Sequence, residues 1–224
     1  MMHSEVVPTK GSTGKFAATR VVAFIRELGY GGAPIIVKSD QEPAALALVN
    51  DIIKYRAPAG TQPEQSPVGS SSSNGVVERG IQSFEMMVRV MKDALEHKWG
   101  VKIPDDHAIL TWMVGYSSYL LNRFEVGQDG KTSYERLKGK KAKVCGIGFA
   151  EGILFKIKEK REGIGKLEIR WRDGIYLGVR AASGEMIVGT KEGICRTRTV
   201  RRKPAEERWN PDNSSQVGGV PWKV

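Results

Sequence analysis

The stretch SSSSNGVVERGIQSFE, residues 70–85, joins a run of serines directly to the start of a strongly patterned helix. From Val77 onward, apolar residues recur at helical spacing, which predicts a single core-facing stripe. That stripe consists of Val77, Ile81, Phe84, Val88, Met91 and Leu95. A second, polar stripe consists of Glu78, Gln82, Glu85 and Arg89. The helix is therefore predicted to have one face in the core and one in solvent.

Upstream of this helix, the pattern alternates short strands with helices. MMHSEVV at the start predicts a short strand, and Ser12 or Thr13 is placed to cap a helix that ends at Leu28. PIIVKSD, residues 34–40, predicts a buried strand, and Pro43 suits the first turn of the next helix. A long irregular stretch, 57–75, separates that helix from Val76.

Downstream, a helix is predicted at about 105–121, and the texture changes from Gly152 onward. ILFKIK, KLEIRWR, GIYLGV, EMIVGT and ICRTRTV predict five short strands, which favours a small barrel or meander of the SH3-like kind. We therefore expect an α/β core over 1–141, a small all-β domain over 142–203 and a flexible tail over 204–224.

The positive charge is concentrated in one part of the chain. Residues 131–203 hold 20 Lys and Arg against 8 Asp and Glu, a net charge of +12, whereas residues 1–130 have a net charge of −1. Such a block is typical of a polyanion-binding segment, although a merely soluble, lysine-rich surface has the same composition. The basic side chains of the β segment that we single out as DNA contacts are Lys156, Lys158, Arg170, Arg172, Arg196, Arg198, Arg201 and Arg202.

Composition argues against several other classes of protein. No run of about 20 apolar residues predicts a membrane span, and the first residues lack the pattern of a signal peptide. Cys145 and Cys195 form no Cys-x-x-Cys motif, so neither a zinc site nor a disulfide scaffold is indicated. We expect an intracellular protein, nuclear or cytoplasmic, with no membrane partner.

Two carboxylates mark the most informative chemistry. Asp40 follows a predicted buried strand, at the strand end where open α/β sheets bind ligands, and Glu78 begins the helix after the long loop. Carboxylates brought to one place repel unless a cation lies between them, and Mg²⁺ prefers oxygen ligands of this kind. Each residue also has an ordinary explanation, because Asp is common in turns and Glu is favoured at a helix start.

These residues lie in motifs that resemble a known family. VKSDQE followed by SPVGSSSSNGVVERGIQ, then YLLNR and TSYERLKGKK, is similar to the integrase core of retroviruses and long-terminal-repeat retrotransposons, most of all the copia type. DGIYLGVRAASGEMIVGTKEGICRTRTVRR is similar to the β segment that follows in that family. The resemblance runs from about residue 2 to residue 203.

The resemblance implies a ribonuclease-H-like core, incomplete at its N-terminus, followed by the small SH3-like domain. It assigns Asp40 and Glu78 as catalytic and metal-binding acids, with two Mg²⁺ or Mn²⁺ ions in the complete site, and a mobile loop at 60–75. The implied activity is polynucleotidyl transfer, the joining of DNA 3′ ends to target DNA. Gln82 and Arg89 are then expected to contact DNA, although a solvated helix face explains them equally well. Trp171 and Tyr176 are expected either to stack on bases or, more simply, to lie in the core.

Departures from the family pattern limit the activity that we expect of this chain. QEPA replaces the usual Gly-Gly-Glu-Phe after the aspartate, and the first catalytic Asp and the N-terminal zinc module have no counterpart. We therefore expect a fragment that lacks strand transfer on its own, whose intact form is a homo-oligomer bound to element ends and target DNA. The alternatives are a non-catalytic DNA-binding remnant and a structural protein that only retains the fold. An upstream reading frame encoding an Asp in an apolar strand would favour the enzyme.

Overall fold

The amino-terminal part of the chain forms a small parallel sheet flanked by helices. In the computed structural model, which describes residues 1–10, 14–66, 75–143, 146–157 and 169–223, helix α1 spans Phe16–Glu27 and strand β1 spans Ile35–Ser39. Helix α2, Pro43–Arg56, leads into strand β2, Thr61–Gln65, which pairs in parallel with β1. Strand β1 and helix α2 lie where they were predicted, and Pro43 does begin the helix. The prediction that β1 is buried is wrong, because its residues alternate between half-buried and exposed and Ile36 is 63% exposed.

Three predictions in this part of the chain need comment. Residues 1–7, predicted as a strand, lie in no strand of the structure. Strand β2 was not predicted, because TQPEQ is polar and contains Pro63, which is tolerated only at a sheet edge or bulge. The proposed caps Ser12 and Thr13 lie outside the described residues, and the observed N-cap of α1 is Lys15.

A buried arginine joins helix α2 to the small sheet. Arg56 is 4% exposed, and its guanidinium donates to Thr61 Oγ1 at 2.9 Å, to Tyr30 O at 3.1 Å and to Ala33 O at 2.7 Å. These acceptors replace the water that the guanidinium loses on burial. The arginine thereby fixes the start of β2 against the loop that leads into β1.

Helix α3, Gly75–Trp99, is the longest element, and only its second half enters the main core. Leu95 and Trp99 are buried, and Val88 and Met91 pack against them. The predicted core stripe is wrong at its start, because Val77 is 63% exposed and Ile81 is 49% exposed. The first turns of α3 lie outside the main core of the described residues, so their apolar side chains are exposed although they repeat at helical spacing.

Helix α4, Ala108–Phe124, lies behind α3 and is the most buried helix of the described chain. It begins three residues later than predicted, with His107 as its N-cap, since the His107 Nδ1 accepts from Ile109 N at 3.1 Å. The short helix α5, Ser133–Lys138, is set by a capping box between Thr132 and Glu135 and ends at Gly139 in the left-handed conformation.

The carboxyl-terminal part forms a five-stranded antiparallel sheet. Its strands are β3 Gly152–Lys156, β4 Trp171–Val179, β5 Met186–Thr190, β6 Gly193–Thr197 and β7 Val200–Arg202. The order is β6-β5-β4-β3-β7: strands β3 to β6 form a four-strand antiparallel meander, and β7 pairs with β3 at the other edge. Five strands were predicted, but GIYLGV and the last two residues of KLEIRWR form the single strand β4, and ICRTRTV divides into β6 and β7. Residues 166–168 of KLEIRWR lie outside the described residues.

The chain is therefore a mixed α/β protein with helices packed on an antiparallel sheet. One hydrophobic cluster joins α3, α4 and this sheet, with Met113, Ile153, Ile175 and Val188 each 0% exposed. Residues on both sides of the predicted domain boundary at 141/142 thus share a core. A ribonuclease-H-like core, an SH3-like barrel and the domain division stay predictions.

The last described residues, 204–223, pack against this core as short 3₁₀ turns, Ala205–Glu207, Pro211–Gln216 and Pro221–Lys223. Arg208 O accepts from Gly152 N at 2.8 Å, and Gly219 O accepts from Trp112 Nε1 at 2.8 Å. The segment thus contacts both strand β3 and helix α4. We refer to residues 204–223 as the strap, and its flexibility stays a prediction.

Candidate functional site

Asp40 lies where the sequence predicted, directly after strand β1 at the carboxyl end of the parallel strand pair. Its side chain is exposed. Parallel strands present the ends of their backbones at one edge of the sheet, and ligand sites of α/β folds form at this edge. Asp40 thus lies at the sheet edge at which it was predicted, and its role as a ligand-binding acid stays a prediction.

A lysine lies next to this acid. The Lys10 ammonium forms an ion pair with Glu42, and Glu42, with a smaller contribution from Asp40, raises the pKa of Lys10. Both partners are exposed, so the pair adds little to stability. Its significance is electrostatic, because two carboxylates at this sheet edge attract a cation.

The segment that leads to Glu78 starts beside Asp40. Ser66 N donates to Ser39 O at 2.9 Å, and Gln41 Nε2 donates to Ser66 O at 3.3 Å. Ser66 is 6% exposed, so the end of strand β2 is fixed against the residues that flank Asp40. Residues 67–74, half of the predicted mobile loop at 60–75, lie outside the described residues, and Thr61–Gln65 of that loop form strand β2.

Glu78 lies in the first turn of helix α3, with an exposed side chain. The polar stripe of this helix is exposed as predicted: Gln82, Glu85 and Arg89 all face solvent. Arg89 Nη2 lies 3.9 Å from Glu85 Oε2, one helical turn away, so this cation is partly compensated. No contact is recorded between Asp40 and Glu78, and their role as a pair stays a prediction.

The donor types at the two positions suit a hard divalent cation, since both are carboxylates. Among the residues that the structure describes, no group of three or more His, Cys, Asp or Glu side chains is placed to hold a metal ion. A metal site formed by Asp40 and Glu78 stays a prediction.

The predicted DNA contacts of the β segment differ in solvent exposure and in whether a carboxylate of the same chain pairs with them. Arg172, Arg196, Arg198 and Arg201 are exposed, Lys156 and Arg170 are partly buried, and Lys158 lies outside the described residues. Arg202 is committed to an internal partner, because its guanidinium donates to Glu151 Oε1 at 2.6 Å and to Glu151 Oε2 at 3.0 Å. Glu151 raises the pKa of Arg202 through these hydrogen bonds.

Strand register divides the basic residues between the two faces of the sheet. Lys156 pairs with Trp171, and Leu154 pairs with both Asp173 and Arg201, so Lys156 and Arg201 share one face. Arg201 lies over the Trp171 ring at 4.5 Å, a cation–π contact that leaves the guanidinium in solvent. Arg172 pairs with Phe155 and belongs to the opposite face. Tyr176 is fully buried and is a core residue.

The YLLNR motif, residues 119–123, has a structural role that the sequence analysis missed. Asn122 is 6% exposed; its Oδ1 accepts from Met2 N at 2.7 Å and its Nδ2 donates to Met2 O at 2.6 Å. The Asn122 side-chain amide thus hydrogen-bonds to both backbone polar atoms of Met2, as the backbone of a neighbouring strand would. Ser4 adds a hydrogen bond to Val114 O at 2.9 Å, and Arg20 pairs with Glu5 at 2.6 Å. A buried Asn in an apolar helix is the signal that could have revealed this.

Arg123, the last residue of the motif, is held by aromatic rings instead of a carboxylate. Its guanidinium lies 3.7 Å from the Tyr119 ring and 4.9 Å from the Tyr134 ring. Cations stacked on rings in this way keep their outer N–H groups for other acceptors. Arg123 was not predicted as a functional residue.

Comparisons with known proteins give a distant likeness to solved structures. No family model matches the chain, and no curated protein matches it. Among solved structures, a chain in the cryo-EM structure of the simian T-cell lymphotropic virus intasome in complex with PP2A regulatory subunit B56 gamma is similar at 12% identity, with a TM-score of 0.39. The match covers 84% of this chain and 65% of that one, less than two thirds of its length. In the part of the chain that is described, no helix is both long and apolar enough to span a membrane.

Proposed function

We propose that the chain binds DNA through its basic β segment and carries, at Asp40 and Glu78, part of the metal site of an integrase-type polynucleotidyl transferase. The observation that supports this most directly is the hydrogen bond from Ser66 N to Ser39 O at 2.9 Å. It anchors the segment that runs to Glu78 beside Asp40, as a shared site requires. The motif resemblance assigns the same two acids.

In this proposal, Asp40 and Glu78 hold Mg²⁺ or Mn²⁺ together with phosphate oxygens of DNA. The bound ion would polarise a phosphodiester oxygen. Gln82 and Arg89, on the same exposed stripe of α3 as Glu78, would contact the end of the DNA. Lys156 and Arg201, with Arg198 nearby in the chain, would bind backbone phosphates and so position the duplex without reading its sequence.

The chain is proposed to act as a fragment, with no strand transfer of its own, because no third catalytic acid is identified in its sequence. A non-catalytic DNA-binding remnant is the second candidate. Four exposed arginines on the β segment favour it, since they need no metal site to bind DNA. The two candidates differ in one property, whether the carboxylates at 40 and 78 bind the same ion.

Paramagnetic broadening by Mn²⁺ tests this property directly. In a titration of isotope-labelled protein, the amide signals next to Asp40 and those next to Glu78 should broaden together at the same Mn²⁺ concentration. Asp40→Asn should weaken the broadening at both places, and Glu78→Gln should do the same. Asp93→Asn, which removes another exposed carboxylate of α3, is the matched control and should change neither.

Broadening at only one of the two acids, or loss at 40 without loss at 78, would leave the remnant as the function. Robust joining of DNA ends by the purified chain with Mg²⁺ or Mn²⁺ would contradict the fragment interpretation.

Duplex binding needs a point-variant test, because deleting 142–203 would remove half of the main core. The triple variant Lys156→Ala/Arg198→Ala/Arg201→Ala should weaken binding and flatten the salt dependence of log K by about one unit per lost phosphate contact. Lys15→Ala/Arg26→Ala/Lys54→Ala removes the same charge from exposed positions near α1 and on α2. Equal loss in both triple variants would mean that net charge alone binds DNA.

A further inference from the structure

A half-open cavity of about 360 Å³ lies away from Asp40, between the amino-terminal residues and the five-stranded sheet. Residues 1–5 and helix α1 form one wall, and α4 with strands β4 and β5 forms the other. Small-molecule sites have volumes of roughly 300–1,000 Å³. The cavity is therefore large enough for a ligand of nucleotide size and too small for a duplex.

Four arginines line this cavity: Arg20, Arg123, Arg180 and Arg196. Arg20 is neutralised by Glu5. Arg123 is stacked on tyrosine rings, and neither it nor Arg180 nor Arg196 forms an ion pair with a carboxylate within the described residues. Glu27 is the other acid of the lining, so positive charge is in excess. Arg123 Nη1 also donates to Tyr119 O at 3.4 Å. Guanidinium groups at the wall of a cavity that no carboxylate neutralises suit an anion such as phosphate.

The rest of the lining combines aromatic and apolar residues with Ser4, Thr111, Ser118 and Asn122, and it includes His3. The His3 ring stacks on Phe24 at 4.8 Å with an interplanar angle of 16°. Its Nε2 atom is buried, and no hydrogen-bond partner is recorded for it. Burial, and to a smaller extent Arg20, lowers the pKa of His3 to about 4, so the imidazole is neutral at pH 7. A buried polar atom of this kind costs free energy, because no hydrogen bond replaces the water that it loses.

From these features we infer that the cavity between residues 1–5, helix α4 and strands β4–β5 binds a nucleoside phosphate. The phosphate lies with Arg123, Arg180 and Arg196, and the base lies with the Phe24, Tyr119 and His3 side of the lining. The ligand is either a free nucleotide or the terminal nucleotide of a single DNA strand, since both present the same chemistry. This inference does not rest on the proposed metal site at Asp40 and Glu78.

Calorimetric titration of the full chain with dAMP, deoxyadenosine and inorganic phosphate tests the inference. We expect dAMP to bind, and deoxyadenosine to bind at least about tenfold more weakly, because it lacks the charge-assisted hydrogen bonds to arginine. Inorganic phosphate should compete with dAMP. Arg180→Ala/Arg196→Ala should weaken dAMP by about tenfold or more.

The matched control is Arg26→Ala/Lys54→Ala, which removes two exposed cations outside the cavity. It should change dAMP affinity by less than about twofold. His3→Phe keeps an aromatic ring beside Phe24 and removes no cation, so it should leave phosphate affinity unchanged. Circular dichroism of each variant checks that it is folded.

A short single strand, with and without a 5′ phosphate, distinguishes the two sources. Competition with dAMP by the phosphorylated strand assigns the site to strand ends, and its absence assigns the site to free nucleotides. The inference is overturned if dAMP does not bind at about 1 mM, if deoxyadenosine binds as tightly as dAMP, or if both double variants lose affinity equally.

Discussion

The two sheets of this protein differ in what packs behind them. The five-stranded sheet shares a core of 16 buried residues with α3 and α4, whereas the described cluster behind the two-stranded sheet contains only Ala18, Val22 and Ile52. Strand β1 even leaves Ile36 63% exposed. Two strands alone are barely stable in water, so the small sheet depends on its few helix contacts.

The candidate acids lie in the thinly packed part. Asp40 follows β1, and Glu78 lies in the half of α3 whose apolar residues face solvent. Regions with few buried contacts open more readily than a dense core. The proposed metal chemistry therefore lies in the region with fewer buried contacts, while the five-stranded sheet contributes most of the buried core and the basic surface.

The most severe test of this division is a pair of core truncations. Ile153→Ala removes a 0% exposed side chain of the large core and should lower the free energy of unfolding by about 2–5 kcal/mol, measured in urea. Ile52→Ala, in the small cluster, should raise amide exchange in α1, α2 and β1 and leave the five-stranded sheet protected. Equal loss of protection in both sheets would show that they do not differ in stability, because the chain would then unfold as one unit.

The second test concerns the buried carboxylate of Glu151, which pairs with Arg202 of β7 and lies 3.6 Å from Nε of Arg208 in the strap. Glu151 is buried, and its carboxylate accepts from Arg202 and from Gly148 N at 2.9 Å. Glu151→Gln weakens these charge-assisted hydrogen bonds and should destabilise the fold by about 1.5–3 kcal/mol. Glu206→Gln, an exposed glutamate of the same strap, should stay within about 0.5 kcal/mol. Similar urea midpoints for the two variants would show that the pair contributes nothing.

The third test uses pH to probe the wall of the cavity. The pKa of His3 is about 4 in the folded chain and 6.5 ordinarily, so between these values only the unfolded chain binds the proton. Stability should therefore fall by about 1–3 kcal/mol as the pH decreases from 6.5 to 4. Burial raises the pKa of Glu5, which opposes this trend, because its contribution is present at low pH and is lost as the pH rises.

His3→Phe removes the first contribution and keeps those of Glu5 and of carboxylates such as Glu96 and Glu135, whose pKa is lowered in the folded chain, so its stability should fall by less than that of the parent between pH 6.5 and 4. Chemical unfolding of both proteins at several pH values measures the difference. A variant whose profile matches the parent would mean that His3 does not titrate in this range.

The smallest expected effect is at the exposed end of α3, and it is compared with a buried position of the same helix. Ile81→Ala changes an exposed position of α3 and should alter stability by less than about 0.5 kcal/mol. Leu95→Ala, on the same predicted stripe but 3% exposed, should cost about 2–5 kcal/mol. A large cost at Ile81 would reveal a core that the described residues do not contain.

Local patterns predicted the elements that depend on local chemistry. Pro43 at the start of α2, the apolar PIIVKS strand and the long α3 were all recognisable, because their residues repeat at the spacing of the element. Strand β2 was missed because its edge position tolerates Pro63 and polar residues, and only the pairing with β1 makes it a strand.

Position in space was the harder part of the site to predict. Periodicity correctly predicted an exposed face for Glu78, Gln82 and Arg89. It also predicted that Val77 and Ile81 are buried, whereas both are exposed. The engagement of Arg202 by Glu151 depends on residues 51 positions apart, and the role of Asn122 depends on residues 120 apart. Such long-range partners leave no trace in local spacing.

The strap makes the end of the chain a mechanical anchor. Its backbone carbonyls at Arg208 and Gly219 are tied to a strand and to a helix of the large core. Force applied at Lys223 would therefore load the dense core at once, and a chain cut after residue 203 would expose Trp112 and leave the Gly152 amide without its acceptor.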